Sequence, residues 1–93
     1  MAITENQKRW AAKHRQNVRD YIKTAKGDIC SDCKEKFPHY NLEFDHARGI
    51  YKFRIADAGA RSLKSIKEEI EKCDVVCCNC HATRTWKRKN NLI

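Results

Sequence analysis

Two short cysteine pairs, Cys30-x-x-Cys33 and Cys77-x-x-Cys80, constrain this chain more than any other feature in it. Thiolates two residues apart in a tight turn grip one side of a tetrahedral ion, and a second such pair closes a four-sulfur site. Size explains why a staple is needed. The chain has 93 residues and a small stock of large apolar side chains, with three Phe, two Trp and one Met. A chain of this length buries only a little more than about 60% of its unfolded surface, and small domains make up the deficit with disulfides or a metal. The N-terminal "MAITENQKRW" lacks the apolar segment of a signal peptide. No run approaches the roughly 18 apolar residues of a membrane span. A cytoplasmic setting follows, where thiols stay reduced and paired cysteines bind metal. A structural zinc on Cys30, Cys33, Cys77 and Cys80 is therefore expected, with residues 34–76 looping out as a unit between the pairs. Cys73 and Cys78 are left over. Cys73 could in principle replace a ligand, but the x-x spacing favours Cys77 with Cys80, and the two extras read as small buried residues.

Around this staple the chain reads as one domain. Residues 4–26 have the pattern of a helix, with Thr4 and Gln7 as a capping box and Gly27 just past the end. Trp10, Ala11, His14, Val18, Tyr21, Ile22 and Ala25 recur near helical spacing and predict a packed stripe. The other faces carry Lys8, Arg9, Lys13, Arg15, Arg19, Lys23 and Lys26 against Glu5 and Asp20. Such a helix, about 33 Å long, can pack on one face and lie along a nucleic-acid backbone with another. Residues 62–72, "SLKSIKEEIEK", predict a second helix with Leu63, Ile66 and Ile70 inward and a structural role. "DVVC", 74–77, predicts a short strand, and 78 to about 90 a final helix bearing Arg84, Lys87, Arg88 and Lys89. Lys and Arg number 20 against 12 acids, a net charge of +8, which points to a polyanionic partner such as nucleic acid.

The stretch "LEFDHARGI" is an apolar, strand-like run that ends in Asp45 and His46. If it pairs with "DVVC", then strand, strand and final helix pack as a ββα unit, with Asp45, His46 and His81 converging in its groove. A four-sulfur zinc has no open position for water, so any catalysis needs this second site. The combination "C-x-x-C … LEFDH … KCDVVC-x-NCH-x-x-RT", over roughly residues 28–88, resembles the small zinc-containing phage and bacterial branch of the HNH (ββα-metal, or His-Me finger) endonucleases. The resemblance implies an α+β fold: a ββα-metal domain of residues 28–90 stapled by a four-cysteine structural zinc, preceded by the basic helix 4–26 and carrying the inserted helix 62–72. It also implies that Asp45 and His81 hold a catalytic divalent cation. Carboxylate oxygen suits Mg²⁺ or Mn²⁺, while imidazole also accepts Ni²⁺ or Zn²⁺. His46, directed away from Asp45 along the strand, would be the general base. The family's central Asn falls near Lys72 or Cys73, neither of which is Asn. Asn79 could take part of its orienting role, or simply satisfy backbone groups in a tight turn.

Arg84, Lys87 and Arg48 are candidates for phosphate contacts, each also readable as a solvated surface charge. His14 and His39 read as structural or surface residues. The leading expectation is a metal-dependent endonuclease acting on double-stranded DNA as a monomer or weak dimer, by nicking or double-strand cutting. The alternative is a non-catalytic zinc module that binds DNA or RNA, and a third reading is a packaging partner that keeps the nuclease fold. A bacterial or phage-infected cell, with phage-packaging or mobile-element partners, would fit each of them. The discriminating feature is Asp45 and His46 with His81: a binding module has no need for a carboxylate facing a phosphate, which repels it unless a cation intervenes.

Overall fold

A computed structural model describes residues 4–92. The first helix, α1, spans Glu5–Lys26. Its capping box is formed as expected: Gln7 N–H donates to Thr4 Oγ1 at 3.1 Å, and Thr4 N–H donates to Gln7 Oε1 at 2.8 Å. Gly27 ends it at φ 62°, a left-handed conformation that favours glycine. The apolar stripe is shorter than its periodicity predicts. Val18 is buried, and Tyr21 and Ile22 pack beside it. Trp10, at the start of the stripe, is 70% exposed and stacks instead on His14, with ring centroids 5.4 Å apart. A chain this short has too little other apolar surface to cover a helix of 22 residues.

Strand β1 (Leu42–His46) and strand β2 (Cys73–Cys77) form a two-stranded antiparallel sheet. Leu42 lies opposite Cys77, Phe44 opposite Val75, Asp45 opposite Asp74 and His46 opposite Cys73. β2 thus begins one residue before the expected "DVVC", because Cys73 completes the pairing with His46. Between the strands lies helix α2 (Leu63–Ile70), shorter than the predicted 62–72. Ser62 is its cap, with Oγ accepting from Ser65 N–H at 3.2 Å, and the chain turns at 71–72 to enter β2. Helix α3 (Cys78–Lys89) follows β2 directly, with Cys77 as its cap, and packs against both strands. The chain is therefore a small mixed α and β domain with a β1–β2–α3 unit.

Two small cores hold it. One joins Val18 of α1, Ile66 of α2, and Phe53, Ile55 and Ala58 of the segment between β1 and α2. The other comprises Cys30, Leu42, Val76 and Cys77, with Phe37, Val75 and Cys80 against them. Half of the second core is cysteine, so it depends on what those sulfurs hold. Among the described residues no helix is long and apolar enough to cross a membrane.

Candidate functional site

The four cysteines predicted to act together do lie together. The Sγ atoms of Cys30, Cys33, Cys77 and Cys80 are all within 4.8 Å of one another. Zinc–sulfur bonds of about 2.3 Å in a tetrahedron place sulfurs about 3.8 Å apart, so a small closure brings these onto one ion. Backbone donors already face them: Cys77 N–H lies 3.3 Å from Cys30 Sγ, and Cys80 N–H 3.5 Å from Cys77 Sγ. Burial pushes the Cys30 thiol up, but the N–H groups of Cys33, Cys77 and Asp32 draw it down to about 6. Cys80 is pushed up to about 12, first by the Cys77 sulfur and then by burial. One thiolate at such a spacing suppresses the next, and a divalent cation lets all of them ionise. The donor set therefore fits a structural zinc. Cys73 stands outside the cluster in β2, where burial and the charges of Glu69 and Asp45 push its thiol to about 11. Cys78 is exposed, with Sγ 3.6 Å from the Asn41 carbonyl.

Strand alternation separates Asp45 from His46. Asp45 faces α3 and is only 3% exposed. Its Oδ1 lies 3.4 Å from His81 Nε2, and the other ring nitrogen, Nδ1, is 2.9 Å from Glu43 Oε1. A carboxylate behind an imidazole fixes its tautomer and leaves Nε2 free as a ligand, an arrangement found behind metal-binding histidines. Two guanidinium groups also hold Asp45. Arg88 grips both oxygens at 2.6 and 2.7 Å, and Arg84 Nη1 donates to Oδ2 at 2.7 Å. Burial pushes the Asp45 carboxyl up, and Arg88, Arg84 and His81 outweigh it, holding it at about 2. Contrary to what its charge alone suggests, this carboxylate needs no cation to be neutralised, since two arginines already do it.

His46 faces α2, and its Nε2 is 3.0 Å from Glu69 Oε2, while Tyr51 packs edge-on to the ring with centroids 4.5 Å apart. Despite facing opposite helices, Asp45, His46 and His81 line one open groove of about 720 Å³, shared with Tyr40, Tyr51, Lys26 and Arg88.

The three predicted phosphate contacts are placed differently from one another. Arg84 is largely buried and joins Asp32, Asp45 and Asp74. Arg48 pairs with Asp74 and donates to the carbonyls of Glu71 and Cys73. Both are tied into the fold, whereas Lys87 is exposed on α3. Asn79 is exposed in the first turn of α3, where its carbonyl accepts from Thr83 Oγ1 at 3.0 Å. Orientation of the loop after His46 falls instead to Lys72. Its carbonyl accepts from Ala47 and Arg48 N–H at 2.9 and 3.1 Å, and Nζ donates to the Ile50 carbonyl at 2.7 Å. Gly49, at φ 73°, lets that loop close: a Cβ there would lie 3.3 Å from Lys72 Cγ. Sequence reading missed Lys72, Glu43, Glu69 and Arg88. The first three sit in ordinary acid–base patterns; for Lys72 the one pointer was the resemblance, which expected Asn at Lys72 or Cys73.

No family model, curated protein or solved structure matches the chain.

Proposed function

We propose that this chain is a metal-dependent DNA endonuclease of the HNH (ββα-metal) kind, with a structural zinc on its four clustered cysteines. The carrying observation is the groove, in which two histidines each turn one ring nitrogen to a carboxylate and the other edge of the site holds Asp45. A module that only binds nucleic acid has no use for backed imidazoles.

Asp45 Oδ1 and His81 Nε2 would be the protein donors for a divalent cation such as Mg²⁺ or Mn²⁺. Their spacing and the Glu43 contact fit that role, provided Arg88 gives up Oδ1. Arg88 has a side chain 40% exposed, so it can turn from Asp45 to the substrate's phosphate. Held there, such a cation would stabilise the charge that develops on the phosphate and the leaving oxygen. His46 takes a proton from water as the water oxygen bonds to phosphorus. The bond to the 3′ oxygen breaks, its electron pair stays on that oxygen, and solvent supplies the proton that completes the hydroxyl. Lys26 at the groove, Lys87 and the basic faces of α1 offer phosphate contacts without sequence information, which suits double-stranded DNA of any sequence.

The second reading, a non-catalytic zinc module binding DNA or RNA, draws on the double arginine grip on Asp45, which leaves the carboxylate satisfied without a cation. A plasmid-cleavage assay with Mg²⁺, Mn²⁺, Ni²⁺ or EDTA separates the two. The nuclease reading expects metal-dependent nicking or linearisation by the wild type and none by His46→Ala, with DNA binding and folding of the variant retained. A wild type that shifts the plasmid on a gel but cuts it under no metal selects the binding module. Cleavage retained in His46→Ala removes His46 as the base.

A further inference from the structure

Glu69 is the deepest carboxylate among the described residues, 1% exposed, on a helix whose sequence reads as a plain amphipathic support. Burying a carboxylate is costly unless every oxygen is engaged. Here Oε1 accepts from Lys72 Nζ at 2.7 Å, while Oε2 accepts from Lys52 N–H at 2.9 Å and faces His46 Nε2 at 3.0 Å. The ion pair with Lys72 and the Lys52 amide would satisfy a purely structural carboxylate, so the contact with His46 is the one that needs explaining.

Burial pushes the Glu69 carboxyl up, but the Lys72 ammonium, the Lys52 N–H and His46 hold it at about 2. It is ionised at neutral pH and can only accept hydrogen bonds. The hydrogen between it and His46 therefore sits on Nε2, and the lone pair of the neutral ring is on Nδ1. Tyr51 packs edge-on against the same ring. Lys72, which holds Glu69, also anchors the loop leaving His46 through Ala47, Arg48 and Ile50. The end of β1, its loop and the imidazole are thus positioned by one short stretch, Glu69–Lys72.

We infer that Glu69 is the positioning residue of His46, fixing ring and tautomer so that Nδ1 is the atom that takes the proton from water. The inference rests on the nuclease reading above. An imidazolium formed at His46 faces an ionised carboxylate, so the charge created by proton transfer is met by a group already in place.

The test uses the full chain loaded with zinc and compares wild type, Glu69→Gln and the double variant Glu69→Gln/Lys72→Met, which removes the buried ammonium together with its partner. Zinc content and circular dichroism check folding, nicking assays give kcat and KM for plasmid, and nitrogen-labelled histidine reports the His46 ring protons. The expected wild-type signature is an Nε2–H proton protected from exchange. In Glu69→Gln that proton exchanges freely and kcat falls about tenfold to a hundredfold, less than the about 10²- to 10⁴-fold that a general base contributes. KM and zinc content stay within about twofold. If the single variant does not fold, the double variant is read on the His46 ring proton alone, which Lys72 does not contact, and the same loss of protection is expected. A wild-type ring protonated at Nδ1, or a folded Glu69 variant that cuts at the wild-type rate, overturns the role of Glu69 alone. A rate loss that only tracks the unfolded fraction also overturns it. A wild type that cuts under no metal overturns the nuclease reading, and the catalytic use of the pair falls with it.

Discussion

Replacing Arg84 with Met should destabilise the protein by about 3–5 kcal/mol, the range for removing one partner of a buried charge network. The figure can be built from its contacts. Nε and Nη2 hold Asp32 at 2.7 and 2.6 Å, and Nη1 holds Asp45 at 2.7 Å and Asp74 at 2.9 Å. The Asp32 side chain, in the turn between Cys30 and Cys33, is 34% exposed, so its pair is worth less than about 1 kcal/mol. Asp74 keeps Arg48 and loses about 1 kcal/mol with one bond. Asp45 is buried, and losing a charge-assisted bond there costs about 1.5–3 kcal/mol. Against a total stability of about 5–15 kcal/mol, the variant would sit near its unfolding threshold. Urea unfolding with zinc in excess, followed by circular dichroism, measures the loss. Lys87→Ala, on the same helix but exposed, is the companion. It should change stability by less than about 0.5 kcal/mol and reduce the salt slope of DNA binding by about one. An Arg84→Met protein within about 1 kcal/mol of wild type, but with weaker DNA binding and a shallower salt slope, would refute the structural assignment and restore Arg84 as a phosphate contact.

Removing one sulfur, as in Cys30→Ala, should release zinc and unfold the domain, because Cys30 and Cys77 are half of the second core; a stable zinc-free variant, measured by metal analysis and thermal melting, would refute the staple. Acid should also act through the buried carboxylates. Asp45 and Glu69 are both held down to about 2, so the stability they contribute is complete above their unfolded values near pH 4 and drains away as pH falls toward 2. Acid also strips metal from thiolates, but wild type and Asp45→Asn share the same cysteine cluster, so that loss cancels when the two are compared. Urea unfolding at a series of pH values should show Asp45→Asn losing less stability than wild type between pH 4 and 2, and equal losses would refute the linkage.

The capping box of α1, the glycine after it and the spacing of the cysteine pairs were legible in the sequence because each is a relation among residues a few positions apart. The strand ending in Asp45-His46 was legible for the same reason, as was the opposition of those two side chains. The apolar stripe of α1 was read too long because periodicity reports which residues share a face, not whether another element is large enough to cover it; Trp10 stayed exposed. Arg84 read as a surface cation because its partners Asp32 and Asp45 lie far away in the chain.

Glu69 shows the division most clearly. In "KEEIEK" it is one acid among several; like Glu71 it falls at the flank of the Leu63–Ile66–Ile70 stripe, and nothing local marks it as the buried one. It is buried only because the loop after β1 folds back over the end of α2, bringing Lys52 and His46 to one carboxylate. The caps of α1, the four-sulfur pattern and the strand that bears Asp45 and His46 follow from backbone geometry over a few residues, and so are written in the local sequence. Tertiary structure alone decided which charges are buried and which histidine nitrogen is held, because desolvation depends on what packs on top of a residue, and that is settled by segments distant in the chain.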